Sequence, residues 1–400
     1  MKVLYIHQYF STLEEPGGKR SYWISKELVR RGHYVIMITS AKSRHPESKR
    51  VNIDGIDVVY VKSPHYDNHL SIARKIWAFV GFASQGIRAA IKEKDVDLVY
   101  ATSTPLTVGA IALWLKWRKG WRYVFEVRDL WPEFPIEIGA VKNRLAIWWL
   151  RKFENRIYKQ AEHIIALSPA MKEGVMKAGT PEGKVTIVPN MSNTDMFYPH
   201  EVNSVIVESF GVDKTKFNVV YFGSLGRANG LLYIIEAAKQ LKDMGDDTIH
   251  FLLMGSGATD SIIEMEISKY GLTNVRLLGE YEMGVVEEVV NCCDASIITF
   301  LNLPVLQTNS PNKFFDSLAA GKPVIVNSSG WTKDIVENNN CGFYTNPEKP
   351  EQLAERLLEI RDDKQLLKTW GENARRLAME VYNKDILSAK VAEVLEMCGN

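Results

Sequence analysis

Short apolar runs rich in Val, Ile and Tyr alternate along the chain with longer stretches of helical periodicity. In the first half these runs predict strands at Val3–His7, Tyr34–Thr39, Asp57–Val61, Leu98–Thr102, Tyr123–Val127, His163–Ala166 and Val185–Val188. Helices are predicted between them, among others at Ser21–Arg31, Ile72–Lys92 and Arg144–Gln160. Because the strands are almost continuously apolar, we expect a parallel sheet with helices on both faces. The pattern predicts a doubly wound α/β domain.

The pattern weakens between Asn193 and Lys216 and then starts again. The second half predicts strands at Phe217–Phe222, His250–Met254, Val275–Leu278, Ala295–Thr299 and Pro323–Asn327, helices at Leu231–Lys242 and from Gln352 to Arg361, and a helical tail to the end. A chain of 400 residues also exceeds what one hydrophobic core usually serves. We therefore predict two α/β domains, at residues 1–195 and 205–383.

Neither a membrane span nor a signal peptide is predicted. The longest apolar candidate, Thr104–Leu115, is too short for a span and is followed by Lys116. Four cysteines (Cys292, Cys293, Cys341 and Cys398) form no CxxC motif, which favours free thiols in a reducing cytosol. We expect a cytoplasmic protein.

The net charge of +1 conceals two halves of opposite sign. Residues 1–200 contain 30 Lys and Arg against 19 Asp and Glu, whereas residues 201–400 contain 19 against 29. A basic first half suits an anionic membrane surface or a phosphorylated acceptor. No nucleic-acid partner is expected.

Two segments of this basic half, 113–123 and 146–159, interleave Trp with Arg and Lys. Helices that lie at a membrane interface have this composition. Tryptophans packed against the sheet, with the cations in water, would give the same pattern. The sequence leaves both readings open, and the first predicts peripheral binding at the inner face of the cytoplasmic membrane.

Ligands of open parallel sheets bind at the carboxyl ends of the strands, so we examined the loops that follow them. Gly17 and Gly18 come between the first strand and a predicted helix, where backbone N–H groups can bind a phosphate, although a plain turn fits as well. After the fifth strand, Arg128, Asp129 and Glu133 surround Trp131. They are either solvated loop residues or polar partners and a platform for a sugar.

The second domain contains two glycine-rich turns and one dense polar motif. Gly223, Gly226 and Gly230 permit a close approach to a ligand, and Arg227 supplies a cation suited to phosphate. The turn at 255–257 repeats the strand–glycine–helix order. In SPNKFFDSLAAGKPV (310–324), Lys313 and Asp316 share a helix face, either as a surface ion pair or as ligands of phosphate and sugar hydroxyls.

Together these segments resemble the retaining family-4 glycosyltransferases of the GT-B fold, in which two Rossmann-like domains face each other across a cleft. The matching motifs are PGG (16–18), RRGHYV (30–35), RDLWPE (128–133), VPN (188–190), GSLGRANG (223–230), GSG (255–257) and SPNKFFDSLAAGKPV. The chain looks most like the bacterial capsule and O-antigen subgroup that includes L-fucosamine transferases. The resemblance also implies that the last helix, residues 384–400, crosses back to the first domain.

The resemblance implies specific roles. Gly18 would contact the donor diphosphate, Arg227 and Lys313 would neutralise the leaving group, and Asp129 would orient or deprotonate the acceptor. The implied donor-binding set is Gly17, Gly18, Gly223, Ser224, Arg227, Asn229, Gly279, Tyr281, Thr308, Asn312, Lys313 and Asp316. Arg128, Trp131 and Glu133 would bind the acceptor.

Three positions depart from the family pattern. The two family glutamates eight positions apart are replaced by Thr308 and Asp316, and the phosphate-binding lysine is replaced by Asn229. Thr308 cannot supply a charge to the donor sugar. Because Asn229 stands in place of the lysine, Arg227 and Lys313 are the cations that remain for the diphosphate.

We therefore expect a retaining, metal-independent transferase of hexosyl or N-acetylaminosugar groups, with no cofactor. Its donor would be a UDP-linked sugar, and its acceptor a lipid-linked glycan of bacterial surface polysaccharide synthesis. Two alternatives are a nucleotide-sugar epimerase of the same fold and a non-catalytic regulator that binds sugar nucleotides. Thr308 and Asn229 keep the last alternative open.

Overall fold

In the residues that the structure describes, fourteen strands form two separate sheets, one in each of two units of the chain. The computed structural model describes residues 1–15, 17–41, 48–64, 72–202, 205 and 209–399. The first unit comprises residues 1–189 and 384–400, and the second comprises residues 190–383. Each has its own hydrophobic core, built from buried aliphatic and aromatic side chains.

The first unit contains an eight-stranded sheet of order β3-β4-β2-β1-β5-β6-β7-β8. Its strands are β1 (Lys2–Ile6), β2 (Tyr34–Ser40), β3 (Lys49–Ile53), β4 (Ile56–Val61), β5 (Leu98–Thr102), β6 (Tyr123–Val127), β7 (His163–Ala166) and β8 (Val185–Ile187). Its helices are α1 (Arg20–Arg30), α2 (Ile72–Ala90), α3 (Thr107–Lys119), α4 (Glu133–Glu137), α5 (Arg144–Gln160), α6 (Pro169–Lys177) and α14 (Lys384–Gly399). All pairings are parallel except that of β3 with β4. The apolar pattern missed β3 because this edge strand is polar and largely exposed.

The second unit contains a six-stranded, fully parallel sheet of order β11-β10-β9-β12-β13-β14. Its strands are β9 (Phe217–Phe222), β10 (Ile249–Met254), β11 (Val275–Gly279), β12 (Ala295–Ile298), β13 (Val324–Val326) and β14 (Gly342–Tyr344). Its helices are α7 (Leu232–Asp243), α8 (Asp260–Tyr270), α9 (Met283–Cys292), α10 (Asn312–Ala319), α11 (Trp331–Asn338), α12 (Pro350–Ile360) and α13 (Lys364–Glu380). The prediction of two doubly wound α/β units is confirmed.

Both sheets have a topological switch point, where the strand order reverses. In the first unit the chain runs outward from β1 to β2 on one side and resumes with β5 on the other. In the second unit β9 and β12 have the same relation. Ligands of doubly wound sheets bind outside the carboxyl ends of the strands at this point. The loops after β1, β5, β9 and β12 are therefore where a site is expected.

The boundary between the units lies at residue 189, six positions before the predicted end of the first domain at 195. The reason is a set of hydrogen bonds within the second unit. The backbone N–H of Asn190 donates to Ser310 Oγ at 3.0 Å, and Ser192 Oγ donates to the carbonyl of Phe315 at 2.8 Å. The start of the predicted connector is thus fixed to the second unit. Residues 203–204 and 206–208 of that connector lie outside the described residues.

The last helix, α14, belongs to the first unit and packs on α1. Its Leu387, Val391 and Leu395 are buried. Glu396 accepts hydrogen bonds from Arg31 Nη1 at 2.9 Å and from His33 Nε2 at 2.8 Å. The expected return of the C-terminal helix to the first domain is confirmed.

None of the helices in the described part of the chain combines the length and hydrophobicity that crossing a membrane requires. The four cysteines are free: Cys293, Cys341 and Cys398 are buried and Cys292 is partly buried.

Candidate functional site

The glycine-rich loop after β9 is shaped by close backbone contacts at the switch point of the second sheet. Gly230 has a φ of +60°, and a Cβ there would lie 2.9 Å from the carbonyl carbon of Phe300, two residues after the end of β12. Thr299 Oγ1 donates to the carbonyl of Asn229 at 2.7 Å. Only glycine fits at position 230, so the sequence holds the β9 loop tightly against the end of β12.

The second glycine turn, at 255–257, packs closely against the backbone of this loop. Cβ atoms at Gly255 and Gly257 would come within 1.9 Å of the Gly223 carbonyl oxygen and 2.6 Å of the Leu225 backbone. The N–H groups of both glycines are also used, since Gly255 donates to the Gly279 carbonyl and Gly257 to Asp260 Oδ2. This turn packs against the β9 loop, and its two glycine amides are not available to a phosphate.

The β9 loop itself presents free hydrogen-bond donors. Within the described part of the chain, the N–H groups of Ser224 and Gly226 donate to no acceptor. Arg227 is exposed and forms no hydrogen bond or ion pair with any described residue. By contrast, the Asn229 amide donates to the Ser224 carbonyl at 2.8 Å. Asn229, where the resembled family has lysine, therefore holds the loop in shape.

Lys313, at the start of α10, lies against this loop. A Cβ on Gly223 would be 3.2 Å from Lys313 Cε and 3.3 Å from its Nζ. The Lys313 ammonium lies 3.7 Å from the centre of the Tyr221 ring and donates to the Tyr221 hydroxyl, which in turn donates to the Ser224 carbonyl at 2.7 Å. Burial lowers the pKa of Lys313 to about 7. Among the described residues no carboxylate pairs with it, so this cation lacks a counter-ion.

Asp316, one helical turn later, forms no salt bridge with Lys313 despite the i,i+3 spacing. Its side chain is buried, and Oδ1 accepts a hydrogen bond from the backbone N–H of Asn193 at 3.4 Å. Burial raises the pKa of Asp316 to about 7. The reading of Lys313 and Asp316 as a surface ion pair is therefore wrong, because neither side chain meets the other.

Four further predicted donor ligands, Thr308, Asn312, Gly279 and Tyr281, lie in the same unit. Thr308 Oγ1 donates to the carbonyl of Val305 at 2.7 Å, and Asn312 is the first residue of α10 and partly exposed. Gly279 ends β11 with a φ of +83°. The Tyr281 ring that follows is largely exposed, and its one described ring contact is an edge contact with Phe210 at 4.8 Å. This ring offers a surface on which a nucleotide base can stack.

Elsewhere in the second unit, His200, Glu287 and Glu288 form a group whose ligand atoms lie within 4.8 Å of one another. His200 Nε2 is 2.7 Å from Glu287 Oε1, and its Nδ1 is 2.8 Å from the Glu201 carbonyl. The bond to Glu201 and the one to Glu287 raise the pKa of His200. Both ring nitrogens of His200 thus face a hydrogen-bond acceptor of the protein, which accounts for this group of side chains without a metal ion.

In the first unit, the glycine pair follows β1 as predicted. Gly17 is exposed with a φ of +109°, Gly18 is partly exposed, and Pro16 lies outside the described residues. The helix that follows, α1, has no acidic residue in its first turn and no side-chain cap. Its N-terminal amides are therefore not neutralised by a carboxylate, which suits an anionic ligand.

Arg20, the first residue of α1, anchors this loop from within the unit. Its guanidinium forms a buried ion pair with Glu126 at 2.9 Å, and the two side chains are 1% and 0% exposed. The same guanidinium donates to the carbonyl of Val188 at 3.0 Å and to that of Pro189. Burial opposes the charge of Glu126, but Arg20 and Arg128 outweigh it and lower the pKa of that carboxyl. The Arg20 guanidinium and the Glu126 carboxylate thus have hydrogen-bond partners within the first unit.

Arg128 lies beside His7, which follows β1. Arg128 Nη1 is 3.3 Å from His7 Nε2, and His7 Nδ1 is 2.8 Å from Ser21 Oγ. Because a guanidinium can only donate, His7 Nε2 accepts and its proton resides on Nδ1. The loops after β1 and β6 are thus joined at the carboxyl edge of the sheet.

Asp129 is the predicted catalytic carboxylate and lies next to Arg128 in the loop after β6. Thr104 Oγ1 donates to Asp129 Oδ2 at 2.6 Å. Burial raises the pKa of Asp129, while the Thr104 hydrogen bond and the charge of Arg128 act in the opposite direction. A carboxylate with a raised pKa near a substrate site suits a general base.

Two predicted acceptor ligands have other partners in the structure. Trp131 packs against the core of the first unit and makes an edge contact with Phe79 at 6.4 Å. Glu133, in the first turn of α4, forms a salt bridge with Arg151 of α5 at 2.9 Å. Trp131 thus contributes to packing, and Glu133 ties α4 to α5.

The two tryptophan-rich segments differ in their surroundings. In 113–123, Trp114 and Trp121 pack against the core, and only Trp117 is strongly exposed. On α5, Leu145 (72% exposed), Trp148 (49%) and Trp149 (66%) lie at the surface with the exposed cations Arg144, Arg151 and Lys152. Packing accounts for the first segment, whereas α5 carries the mixed apolar and basic surface expected of an interfacial helix.

Sequence reasoning missed Tyr221, Thr104 and Ser103. Tyr221 lies within an apolar strand and was indistinguishable there from an ordinary core residue. Thr104 and Ser103 follow a buried strand directly, and that position was the available signal for them.

Comparison with known proteins agrees with this architecture. Residues 17–191 match the glycosyl transferase 4-like domain, and residues 203–377 match the group 1 glycosyl transferases. The chain is 20% identical over 318 residues to a probable glycosyltransferase, WbjE, of Pseudomonas aeruginosa. The aligned region covers 78% of each protein. It is 24% identical over 332 residues to the alpha-monoglucosyldiacylglycerol synthase of Acholeplasma laidlawii, covering 80% of each.

Two solved structures share the fold over nearly the whole chain. Sucrose-phosphate synthase from Thermosynechococcus elongatus has a TM-score of 0.79 at 17% identity, covering 99% of this chain and 98% of that one. The Anabaena protein HepE in complex with UDP-glucose has a TM-score of 0.74 at 18% identity, covering 99% and 100%. The chain is therefore a glycosyltransferase of the GT-B type, with a glycosyl transferase 4-like domain followed by a group 1 glycosyltransferase domain.

Proposed function

We propose that the protein transfers a hexosyl or N-acetylaminosugar group from a UDP-linked sugar, with retention of configuration and without a metal ion. The observation that carries this proposal is the Lys313 ammonium, which has no carboxylate partner among the described residues and lies beside Gly223. A partly buried cation next to free amides is a site for an anion. The UDP-glucose complex of HepE, which has the same fold, supports a nucleotide sugar as that anion.

The second unit would bind the donor. The diphosphate is bound by the backbone amides of Ser224 and Gly226 and by the side chains of Arg227 and Lys313. The Asp316 carboxylate binds hydroxyl groups of the ribose or of the sugar. To bind a hydroxyl group, the Asp316 carboxylate must exchange or share the hydrogen bond that it accepts from the backbone N–H of Asn193. The exposed ring of Tyr281 and the backbone at Gly279 bind the base, with Thr308 and Asn312 near the donor sugar. In the first unit, the amides of Gly17 and Gly18 can donate to an anionic ligand.

The chemistry follows from where charge develops. The bond between the anomeric carbon and the β-phosphate oxygen breaks, and a bond to the acceptor oxygen forms on the same face. Negative charge grows on the leaving diphosphate, where fixed cations and amides stabilise it. The proton of the acceptor hydroxyl passes to the leaving phosphate or to Asp129.

Replacing Arg227 by alanine is expected to lower sugar transfer at least about tenfold, because one exposed guanidinium is lost from the transition state. Turnover is measured with a panel of UDP- and GDP-linked sugars and a polyprenyl diphosphate-linked glycan as acceptor. Arg276→Ala serves as the control, since Arg276 belongs to the same unit and donates to the Phe210 carbonyl. Unchanged turnover of Arg227→Ala would discard the role assigned to Arg227.

The same assay separates the alternatives. Product that forms with donor alone and keeps the nucleotide would indicate an epimerase. Binding of the donor, seen as thermal stabilisation, without any product would indicate a regulator. Transfer that requires the acceptor is the result we expect.

We further propose that the acceptor is a lipid-linked glycan of bacterial surface polysaccharide synthesis, as in the subgroup that includes L-fucosamine transferases. The protein would act at the inner face of the cytoplasmic membrane. The exposed face of α5 supports this placement, because its tryptophans can enter the lipid interface while its cations meet anionic headgroups. Lys152 lies 5.0 Å from the centre of the Trp148 ring, so charge and aromatic surface are adjacent.

The double variant Trp148→Ser/Trp149→Ser is expected to lower the fraction bound to vesicles at least about fivefold, since two aromatic side chains leave the interface. Flotation uses phosphatidylglycerol vesicles, with phosphatidylcholine vesicles for comparison. Trp117→Ser is the matched control, because Trp117 is 78% exposed but lies on α3. Equal binding of the double variant and the wild type, or no binding by either, would contradict the α5 assignment.

A further inference from the structure

The loops after β5 and β6 are joined by two hydrogen bonds at neighbouring residues. Ser103 Oγ accepts from the backbone N–H of Arg128 at 2.9 Å, and Thr104 Oγ1 donates to Asp129 Oδ2 at 2.6 Å. The two strands are parallel neighbours, so their carboxyl ends leave the sheet side by side. The hydroxyls of one loop therefore fix both the backbone and the carboxylate of the other.

The carboxylate of Asp129 is held through one oxygen only. Oδ2 accepts the Thr104 hydrogen bond, whereas Oδ1 accepts none from the described residues. The side chain is partly exposed. A carboxylate anchored on one oxygen and open on the other can receive a ligand hydroxyl in a defined direction.

We propose that Thr104 is a positioning residue that orients the carboxylate of Asp129 toward a hydroxyl group of the sugar acceptor. The inference rests on the proposed function in so far as the hydroxyl belongs to an acceptor. The Thr104 hydroxyl has a single proton, and its donation to Asp129 favours the ionised carboxylate. Ionisation is what lets Oδ1 accept a second hydrogen bond.

Thr104 and Arg128 are the described groups that favour the ionised form of Asp129 against its burial. His7 faces the Arg128 guanidinium. Loss of the Thr104 hydroxyl therefore leaves Arg128 as the remaining stabilising group. The pKa of Asp129 is then expected to rise in Thr104→Val and to stay near the wild-type value in Thr104→Ser, which keeps the donor.

The first measurement does not depend on activity. The carboxyl ¹³C resonance of Asp129, assigned as the signal lost in Asp129→Asn, is titrated in the full-length protein. We expect its pKa to rise by about one unit in Thr104→Val, a tenfold change in the proton equilibrium. Thr180→Val is the control, because Thr180 is a buried threonine of the first unit whose hydroxyl has no partner among the described residues. An unchanged Asp129 pKa in Thr104→Val would overturn the inference.

The second measurement is the pH profile of sugar transfer. We expect the acidic limb of kcat/KM to move to higher pH in Thr104→Val, by the same amount as the Asp129 pKa, and to return in Thr104→Ser. If Thr104→Val does not fold, as judged by its melting curve, Thr104→Ala takes its place in both measurements. A shift in the Asp129 pKa without sugar transfer by the wild type would refute the proposed function while leaving the Thr104–Asp129 link intact. If the wild type and Thr104→Val both transfer sugar and their pH profiles coincide, the link between Thr104 and Asp129 would be refuted, whereas the proposed function would stand.

Discussion

An alanine at position 313 is expected to lower kcat/KM for sugar transfer by about 100- to 1,000-fold. The Lys313 ammonium is partly buried, contacts the Tyr221 hydroxyl and ring, and has no carboxylate partner among the described residues. The leaving diphosphate would supply the missing counter-charge. Its charge increases in the transition state, so the effect should fall on kcat more than on KM.

The matched control is Lys333→Ala. Lys333 lies in the same unit, with its ammonium 4.5 Å from the centre of the Tyr344 ring, in the same kind of cation–π contact. Its loss should leave turnover within about twofold, because a partly exposed cation–π pair contributes about 0.5–1 kcal/mol to stability and takes no part in the reaction. If both variants lost activity equally, Lys313 would have no special role.

Lys313 also predicts how donor binding depends on pH. Its pKa in the free protein is about 7, and a bound diphosphate would raise it. Binding then takes up a proton above pH 7, so the contribution of Lys313 to affinity should fall by up to about tenfold per pH unit above 7. A nucleotide sugar, whose diphosphate does not titrate in this range, is the ligand for calorimetry. The fall should be absent in Lys313→Ala.

Replacing Arg20 by methionine is expected to destabilise the first unit by about 3–5 kcal/mol. The change leaves the fully buried Glu126 carboxylate without its cation, and it also removes the donor to the carbonyls of Val188 and Pro189. Urea unfolding followed by Trp fluorescence is the measurement. Eight of the ten tryptophans lie in the first unit, so the signal reports mainly on it.

Arg30→Met provides the control on the same helix. Arg30 pairs with Glu27 at 2.7 Å, but its side chain is 72% exposed. A surface pair of this kind contributes about 0.2–1 kcal/mol, so the unfolding midpoint should move little. The double variant Arg20→Met/Glu126→Gln should recover part of the loss, because it no longer leaves a buried charge unpaired. A midpoint for Arg20→Met equal to that of Arg30→Met would show that burial of the ion pair has no energetic weight.

The sequence by itself determined the architecture and the location of the glycine loops. Strands buried on both faces of a parallel sheet must be apolar at nearly every position, so β5, β6, β7 and β9 could be read with their observed bounds. The polar edge strand β3 lacks that signature and was missed. The glycines at 17–18 and 223–230 were recognisable because a strand, a glycine-rich turn and a helix follow one another locally.

The tertiary structure alone decided which side chains meet. Lys313 and Tyr221 are 92 positions apart, and Arg20 and Glu126 are 106 apart, so no local period connects them. Lys313 and Asp316, which are only three positions apart on α10, form no pair. The composition of the two tryptophan-rich segments also did not reveal which tryptophans are exposed, since Trp114 packs against the core while Trp149 lies at the surface. Which partner a charge or an aromatic ring finds depends on how distant elements dock, and that is set by packing of the whole unit rather than by the residues next to it in the chain.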